Sequence, residues 1–268
     1  MTLTVISYGG GVQSTAMLVL ATQGKLGYDV DAALFSNVGD DSEHPATLEY
    51  VRNVSMPRAA AAGIPVHEIK KVNREGVHET LVERLTKVDG NSIPIPARME
   101  GGAPTNRACT ADWKISVVAK WLKQNGATAQ DPANVCIGIS TDEIQRVNPN
   151  NAPAHERIVY PLIELEYDRS ACAQIIADAG WPVPPKSSCY FCPFHRPSVW
   201  SEMRRDEPEL FFKSVDLERQ LIEKRRKIGK EPVYLTRFGK PLDEAVDEAQ
   251  DMLPLGEWDS CDSGHCMT

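Results

Sequence analysis

Three consecutive glycines, Gly9, Gly10 and Gly11, stand in the stretch Ser7-Tyr-Gly-Gly-Gly-Val-Gln-Ser14-Thr15, between a β-rich run and an apolar run. Such a bend turns sharply and meets a ligand without Cβ atoms in the way. The N–H groups of a helix that follows it, with the Ser14 and Thr15 hydroxyls, suit an anionic group such as a phosphate. The stretch is not a Walker A loop, because no Gly-Lys-Ser/Thr follows, and it is not Gly-x-Gly-x-x-Gly either. A glycine turn without a ligand is the alternative.

Sulfur is the second feature. The chain has seven cysteines, and in a reducing compartment metal or catalytic sulfur explains such a count better than disulfides. Cys189-Tyr-Phe-Cys192 falls in a proline-rich stretch, where the short spacing lets two thiolates reach one metal. Cys109, in Asn106-Arg-Ala-Cys-Thr-Ala-Asp-Trp-Lys114, falls at an expected helix start beside basic residues, which favours its thiolate. With His195, these three cysteines would also make a tetrahedral zinc site. Cys172 lies on an apolar helical face where a buried thiol packs readily, and Cys136, in Val-Cys-Ile-Gly-Ile, reads as core. Cys261 and Cys266 stand in a tail, as redox thiols, a sulfur relay or neither. Asp142 and Glu143, at an expected strand end, suit Mg2+, pairing with Arg146, or plain solvation.

The elements that must position these residues alternate. Strands are expected at residues 3–8, 32–38, 66–71, 134–140 and 157–163, and helices at residues 14–23, 45–62, 77–87 and 111–124. Such alternation implies βαβ units, hence an α/β fold: a mostly parallel five-stranded sheet with helices on both faces, followed by a C-terminal helical extension. Between residues 88 and 107 glycines and prolines break the pattern, and a long loop is expected. Asp168 is an expected N-cap for a helix carrying Ala171, Cys172, Ile175, Ile176 and Ala179 on one face. From residue 198 the chain is helical again, with a break at Pro208. Two regions are expected: 1–195, with the glycine and cysteine motifs, and 196–268, with the helical extension and tail.

Composition narrows the classes. Hydrophobic residues at 42% and charged residues at 25% exclude wholesale disorder. No apolar run reaches the roughly 18 residues of a membrane span, and no basic, apolar and cleavage-site pattern opens the chain, so a cytoplasmic protein is expected. A net charge of −8 argues against an indiscriminate nucleic-acid coat and leaves room for a local basic groove. Arg204, Arg205, Lys213, Arg219 and the run Lys224-Arg-Arg-Lys227 would border such a groove, or lie on helix faces laced with Glu202, Asp206 and Glu223. Trp200, Phe211 and Phe212 read as core.

The glycine stretch resembles the PP-loop of the ATP pyrophosphatases, the adenine nucleotide α-hydrolase-like superfamily, whose pattern is Ser-Gly-Gly-x-Asp-Ser. Gly10, Gly11 and Ser14 match, while Gly9 replaces the first Ser and Gln13 replaces the Asp. The loop is similar to the variant found in the phosphoadenosine phosphosulfate reductase-like branch. Phe35-Ser-Asn-Val-Gly-Asp40 resembles that branch's Asp-Thr-Gly segment near the adenine, with Asn37 and Val38 replacing Asp and Thr. Cys109-Thr-x-x-x-Lys114, Gly138-Ile-Ser-Thr-Asp-Glu-x-x-Arg146, Arg157-x-x-Tyr160-Pro-Leu, Asp168-Arg-x-x-Cys172 and Lys186-Ser-Ser-Cys-x-x-Cys-Pro-Phe194 extend the resemblance over residues 3–266.

The resemblance implies chemistry at the α-phosphate of ATP. Ser7, Gly9, Gly10, Gly11, Gln13, Ser14, Thr15, Asn37 and Gly39 would hold the nucleotide with Mg2+. Gln13, Ser14, Cys109, Lys114 and Asp142 would serve the reaction: an acceptor oxygen attacks the α-phosphorus, pyrophosphate leaves and the acceptor is adenylated. Cys109, Cys189 and Cys192 would hold a [4Fe-4S] cluster, with Cys172 as candidate fourth ligand and Zn2+ as the alternative metal. Within the branch the resemblance points to sulfur insertion into nucleic acid, DNA backbone phosphorothioation first and tRNA thiolation second. A cysteine desulfurase and other sulfur-modification subunits are the implied partners, with a homodimer also possible and no membrane. The rivals are a sulfonucleotide reductase using APS or PAPS, with Cys261 or Cys266 as nucleophile, and a non-catalytic Fe–S nucleotide-binding subunit.

Overall fold

The computed structural model describes residues 2–88, 90–147 and 152–249; Cys261, Cys266 and the rest of the tail lie outside the described residues. In chain order the elements are β1 (Thr4–Tyr8), α1 (Val12–Thr22), β2 (Ala32–Asn37), α2 (Pro45–Tyr50), α3 (Met56–Ala61), β3 (Val66–Lys70), α4 (Leu81–Thr86), β4 (Arg98–Met99), α5 (Ala108–Thr110), α6 (Ser116–Gln124), β5 (Ala133–Ile137), β6 (Glu156–Val159), α7 (Pro161–Glu164), α8 (Arg169–Asp178), α9 (Pro197–Asp206), α10 (Pro208–Lys227), β7 (Val233–Tyr234) and α11 (Leu242–Ala249). π-helical turns, Val51–Ser55 and Ala111–Ile115, join α2 to α3 and α5 to α6.

The chain divides into two compact units that interleave in sequence. The first takes the residues up to His78 and Asp112–Ser188; the second takes Glu79–Ala111 and the residues from Cys189 onward. One cut after residue 195 does not describe this. The stretch expected as a long loop contains β4, which pairs antiparallel with β7, Arg98 opposite Tyr234 and Met99 opposite Val233. That pairing ties residues 79–111 to the C-terminal helices.

The first unit is a Rossmann-like α/β arrangement. Its five strands are all parallel, in the order β3-β2-β1-β5-β6. Side chains alternate between faces with the strand period of two. Ile6, Tyr8, Ala33, Phe35 and Cys136 face one buried layer with Ala16 and Val19 of α1 and Ile176 of α8. Val5, Leu34, Ala133 and Val135 face the other, with Val118 and Leu122 of α6. Helices therefore cover both faces. Every residue of α1 from Val12 to Leu20 is buried, so this helix is an internal element and not a surface one.

The strand order fixes where a ligand belongs. The chain moves outward from β1 through β2 to β3, then returns to place β5 on the other side of β1. In open α/β sheets the crevice at such a reversal, beyond the carboxyl ends of the strands, is the ligand site. The loops after β1 and β5 flank that crevice.

In the second unit, α10 packs on α4, α9 and α11. Trp200 and Phe211 are buried, as expected of core residues, whereas Phe212 is 54% exposed and is not core. No described helix is long and apolar enough to cross a membrane.

Candidate functional site

The residues after β1 build the centre of the site. Gly10 has a φ of +73°, which side chains rarely adopt, and a Cβ there would stand 3.1 Å from Val51 and 3.2 Å from Thr47. Gly11 is extended and is the N-cap of α1, with no side chain bonded to the first N–H groups. The opening amides of an eleven-residue helix therefore lack a side-chain cap at the switch crevice. A Cβ on Gly138, after β5, would stand 3.1 Å from the Ser14 nitrogen, so the two loops are in contact.

Ser14 is 1% exposed. Its Oγ accepts from the Gly9 N–H at 3.3 Å and donates to the Gly11 carbonyl at 3.1 Å. The hydroxyl thus staples the bend to itself. Thr15 is fully buried, and its hydroxyl is bonded to Tyr8, which bonds Ser55 in turn. This side chain serves the core beneath the loop; burial pushes the Tyr8 phenol up to about 12. Gln13 accepts from Arg169 Nη1 at 3.1 Å.

Asn37 and Gly39 form the second loop. The Asn37 amide donates to Asp40 at 2.7 Å and to Glu68 at 2.8 Å, and its carbonyl oxygen accepts from the Gly39 N–H at 2.7 Å. The side chain expected near a nucleotide base holds its own turn. Arg52 and Lys70 join the same network. Burial pushes the Asp40 carboxyl up, and Asn37, Arg52 and Lys70 together pull it below its ordinary value.

After β5, Asp142 is exposed and accepts the Arg169 N–H, the first of α8, at 3.0 Å. Glu143 is 2% exposed and pairs with Arg146, which excludes plain solvation for this residue. Burial raises the Glu143 pKa while Arg146 pulls the other way. Nε and Nη2 of Arg146 are buried with no hydrogen-bond partner among the described residues.

A cavity of about 390 Å3 opens beside this loop system, on the α6 side of the sheet. Ser7, Tyr8 and Gly9 bound one end; Leu34, Val135, Ile158 and Val118 make an apolar floor. Lys114, Arg146, Glu156 and Tyr160 supply its polar groups. Lys114 reaches it from the π turn that also carries Trp113, whose carbonyl accepts from Ser36 Oγ at 2.6 Å. Arg146 and Tyr160 were legible only as motif members; Glu156 carried no signal in the sequence.

No protein-family model matches the chain, and no curated protein matches it by sequence.

The second unit holds Cys109, Cys189 and Cys192. All are partly exposed thiols. The Cys109 N–H donates to the Pro94 carbonyl at 2.7 Å. Cys189 to His195 is a pair of tight turns, closed by Cys192 N–H to the Cys189 carbonyl at 3.1 Å and His195 N–H to the Cys192 carbonyl at 3.0 Å. His195 Nε2 donates to the Cys189 carbonyl at 3.0 Å. The Cys109 segment and the Cys-x-x-Cys turn meet at Phe194, whose ring has the Arg107 guanidinium 5.5 Å from its centre.

Cys172 lies in the first unit, fully buried in the apolar core, where burial pushes its thiol up to about 12. Cys136 is likewise core, as expected. The remaining three thiols fit a cluster by donor type. Among the described residues, however, no group of three or more His, Cys, Asp or Glu side chains converges to hold a metal ion.

Proposed function

We propose that the first unit binds the triphosphate of ATP on the amides of the Gly9–Gly11 bend and the start of α1, and that the protein is an ATP pyrophosphatase. One observation carries the reading: the uncapped start of α1, behind a left-handed glycine, at the reversal of strand order. Fixed amide dipoles there neutralise phosphate charge without reorganisation. Ser14 keeps the bend in shape, and the Arg169–Gln13 contact adds a cation beside it. Asp142 is the exposed carboxylate suited to Mg2+, which would supply further neutralisation of the β- and γ-phosphates.

The apolar floor and polar rim of the cavity suit a base and its sugar, and Lys114 and Arg146 add two cations to its lining. The chemistry is displacement at the α-phosphorus: an acceptor oxygen forms the new P–O bond, and pyrophosphate leaves with the bridging electron pair. From the resemblance, we infer a nucleic-acid acceptor readied for sulfur insertion, DNA backbone phosphorothioation first. A cysteine desulfurase would deliver the sulfur. Cys109, Cys189 and Cys192 are the residues that would hold an iron–sulfur cluster; because three ligands do not converge here, no step is assigned to it.

The test is pyrophosphate release from ATP by an anaerobic preparation, with DNA, tRNA or neither. Release that depends on DNA supports the reading. Absence of release with every acceptor and the desulfurase present contradicts it.

A further inference from the structure

Three of the four cations in the basic run of α10 have partners within the second unit. Lys224 donates to the Leu85 carbonyl at 2.9 Å, Arg225 donates to the Glu231 carbonyl at 2.8 Å, and Arg226 pairs with Glu223. Arg205 and Arg219 pair with Asp206 and Asp243. Arg226, Arg205 and Arg219 are thus paired with acids, and Lys224 and Arg225 are held by backbone carbonyls.

Arg98 and Arg107 are different. Their guanidinium carbons each lie 5.5 Å from the centre of the Phe194 ring, so one aromatic gathers both. Neither pairs with a carboxylate among the described residues; the hydrogen bond that Arg98 makes goes to the Gly102 carbonyl at 3.3 Å. Arg98 Nε and Arg107 Nη2 are buried with no hydrogen-bond partner among the described residues. Buried donors are normally satisfied, and like charges brought together in a chain of net charge −8 normally find an acid. A ring face orients each guanidinium and leaves its N–H edge to an incoming anion.

We propose that Arg98, Arg107 and Phe194 form an oxyanion site of the second unit that takes a phosphodiester group of a nucleic-acid strand. The site belongs to the second unit and the glycine bend to the first, and the proposal rests on the proposed function only in taking its phosphate from a nucleic acid. All three residues are partly solvent-accessible, so a strand can reach them. They lie among the cysteine segments: Arg107 is two residues before Cys109, and Phe194 two residues after Cys192. A strand held there lies beside the thiols that the proposed sulfur chemistry would use.

The experiment measures anisotropy of a short labelled DNA duplex against the full chain over a series of salt concentrations. Calorimetry with inorganic phosphate is run in parallel, and ATP affinity without DNA is read on the same proteins. Arg107→Ala should weaken duplex binding about tenfold, the scale of one lost charged hydrogen bond. It should make the slope of log K against log salt shallower by about 0.9, one phosphate contact. Arg107→Lys keeps the charge without the planar stacking and should fall between the two, and Arg98→Ala should repeat the loss. ATP affinity should be unchanged in all three. Binding of inorganic phosphate alone, lost in Arg107→Ala, keeps the oxyanion site and overturns the strand as its source. Unchanged duplex affinity and salt slope in both alanine variants, with native circular dichroism, overturns the site, as does a wild type that binds neither probe. Failure of the wild type to bind ATP, with these affinities intact, counts against the nucleotide reading alone.

Discussion

Ser14 and Gly10 divide the work of the bend between them. The Ser14 hydroxyl closes a ring of two hydrogen bonds inside the loop, so Ser14→Ala frees the bend while leaving the core intact. The expected cost in stability is about 1 kcal/mol, with ATP turnover falling at least about tenfold because amide positioning is lost; thermal melts and pyrophosphate assays read the two effects. Gly10→Ala should cost more than Gly11→Ala. At Gly10 the left-handed backbone alone costs about 1 kcal/mol, and Val51 and Thr47 must also yield. At Gly11 the nearest obstacle, 2.9 Å away, is the Ser187 hydroxyl, which can rotate. Equal melting temperatures for the two variants would contradict this ranking. The glycines and Ser14 were legible in the sequence because their chemistry is local. The partners of Asn37, namely Asp40, Glu68 and Gly39, were not legible, because only the folded loop brings them together. Arg98 carried no signal and Arg107 was legible only as a basic neighbour of Cys109, since their grouping comes from the ring they share.

Among the elements, α10 carries the clearest pH dependence. Glu218 is fully buried, and its carboxylate accepts the Leu235 N–H after β7 and the Leu242 N–H at the start of α11, both at 2.6 Å. Burial pushes its pKa up to about 7, with the two N–H groups and Arg219 pulling back and Asp243 adding to the rise. The folded value lies above the unfolded one of 4.5, so the native state holds the extra proton in between. This contribution to stability is full below pH about 4.5 and is lost as pH rises through about 7, an effect of up to about 3 kcal/mol. Glu218→Gln should flatten the melting temperature over that window; an unchanged profile would show that Glu218 does not titrate there. Element boundaries also show where sequence patterns fail. A helix expected from residue 77 starts at Leu81, because Asn73 takes the Val77 N–H and Thr80 makes a capping box with Glu83. The strand expected to run to residue 163 stops at Val159, since Pro161 opens the short helix α7. The parallel strands and the Asp168 cap were readable, because period and cap chemistry are written in adjacent residues.

At the scale of the whole molecule, the sheet order was not readable from one sequence, and neither was the interleaving of the two units. Both depend on pairings between distant segments, such as the two-residue ladder of β4 and β7. The division has a functional consequence: nucleotide chemistry is assigned to the first unit and cysteine chemistry to the second. Cys189→Ser should therefore abolish any iron and sulfide carried by an anaerobic preparation and leave ATP affinity within about twofold, as read by visible absorbance, metal analysis and calorimetry. Retained iron and sulfide would remove Cys189 from the ligand set. The claim on which the rest depends is that the glycine bend holds a triphosphate, and ATP titration calorimetry of the wild type beside Gly10→Ala tests it most directly. The account predicts saturable Mg-dependent binding by the wild type, weakened at least about tenfold in a Gly10→Ala protein that still folds. Wild-type protein that binds no ATP, or binds it equally well with the bend altered, would contradict it.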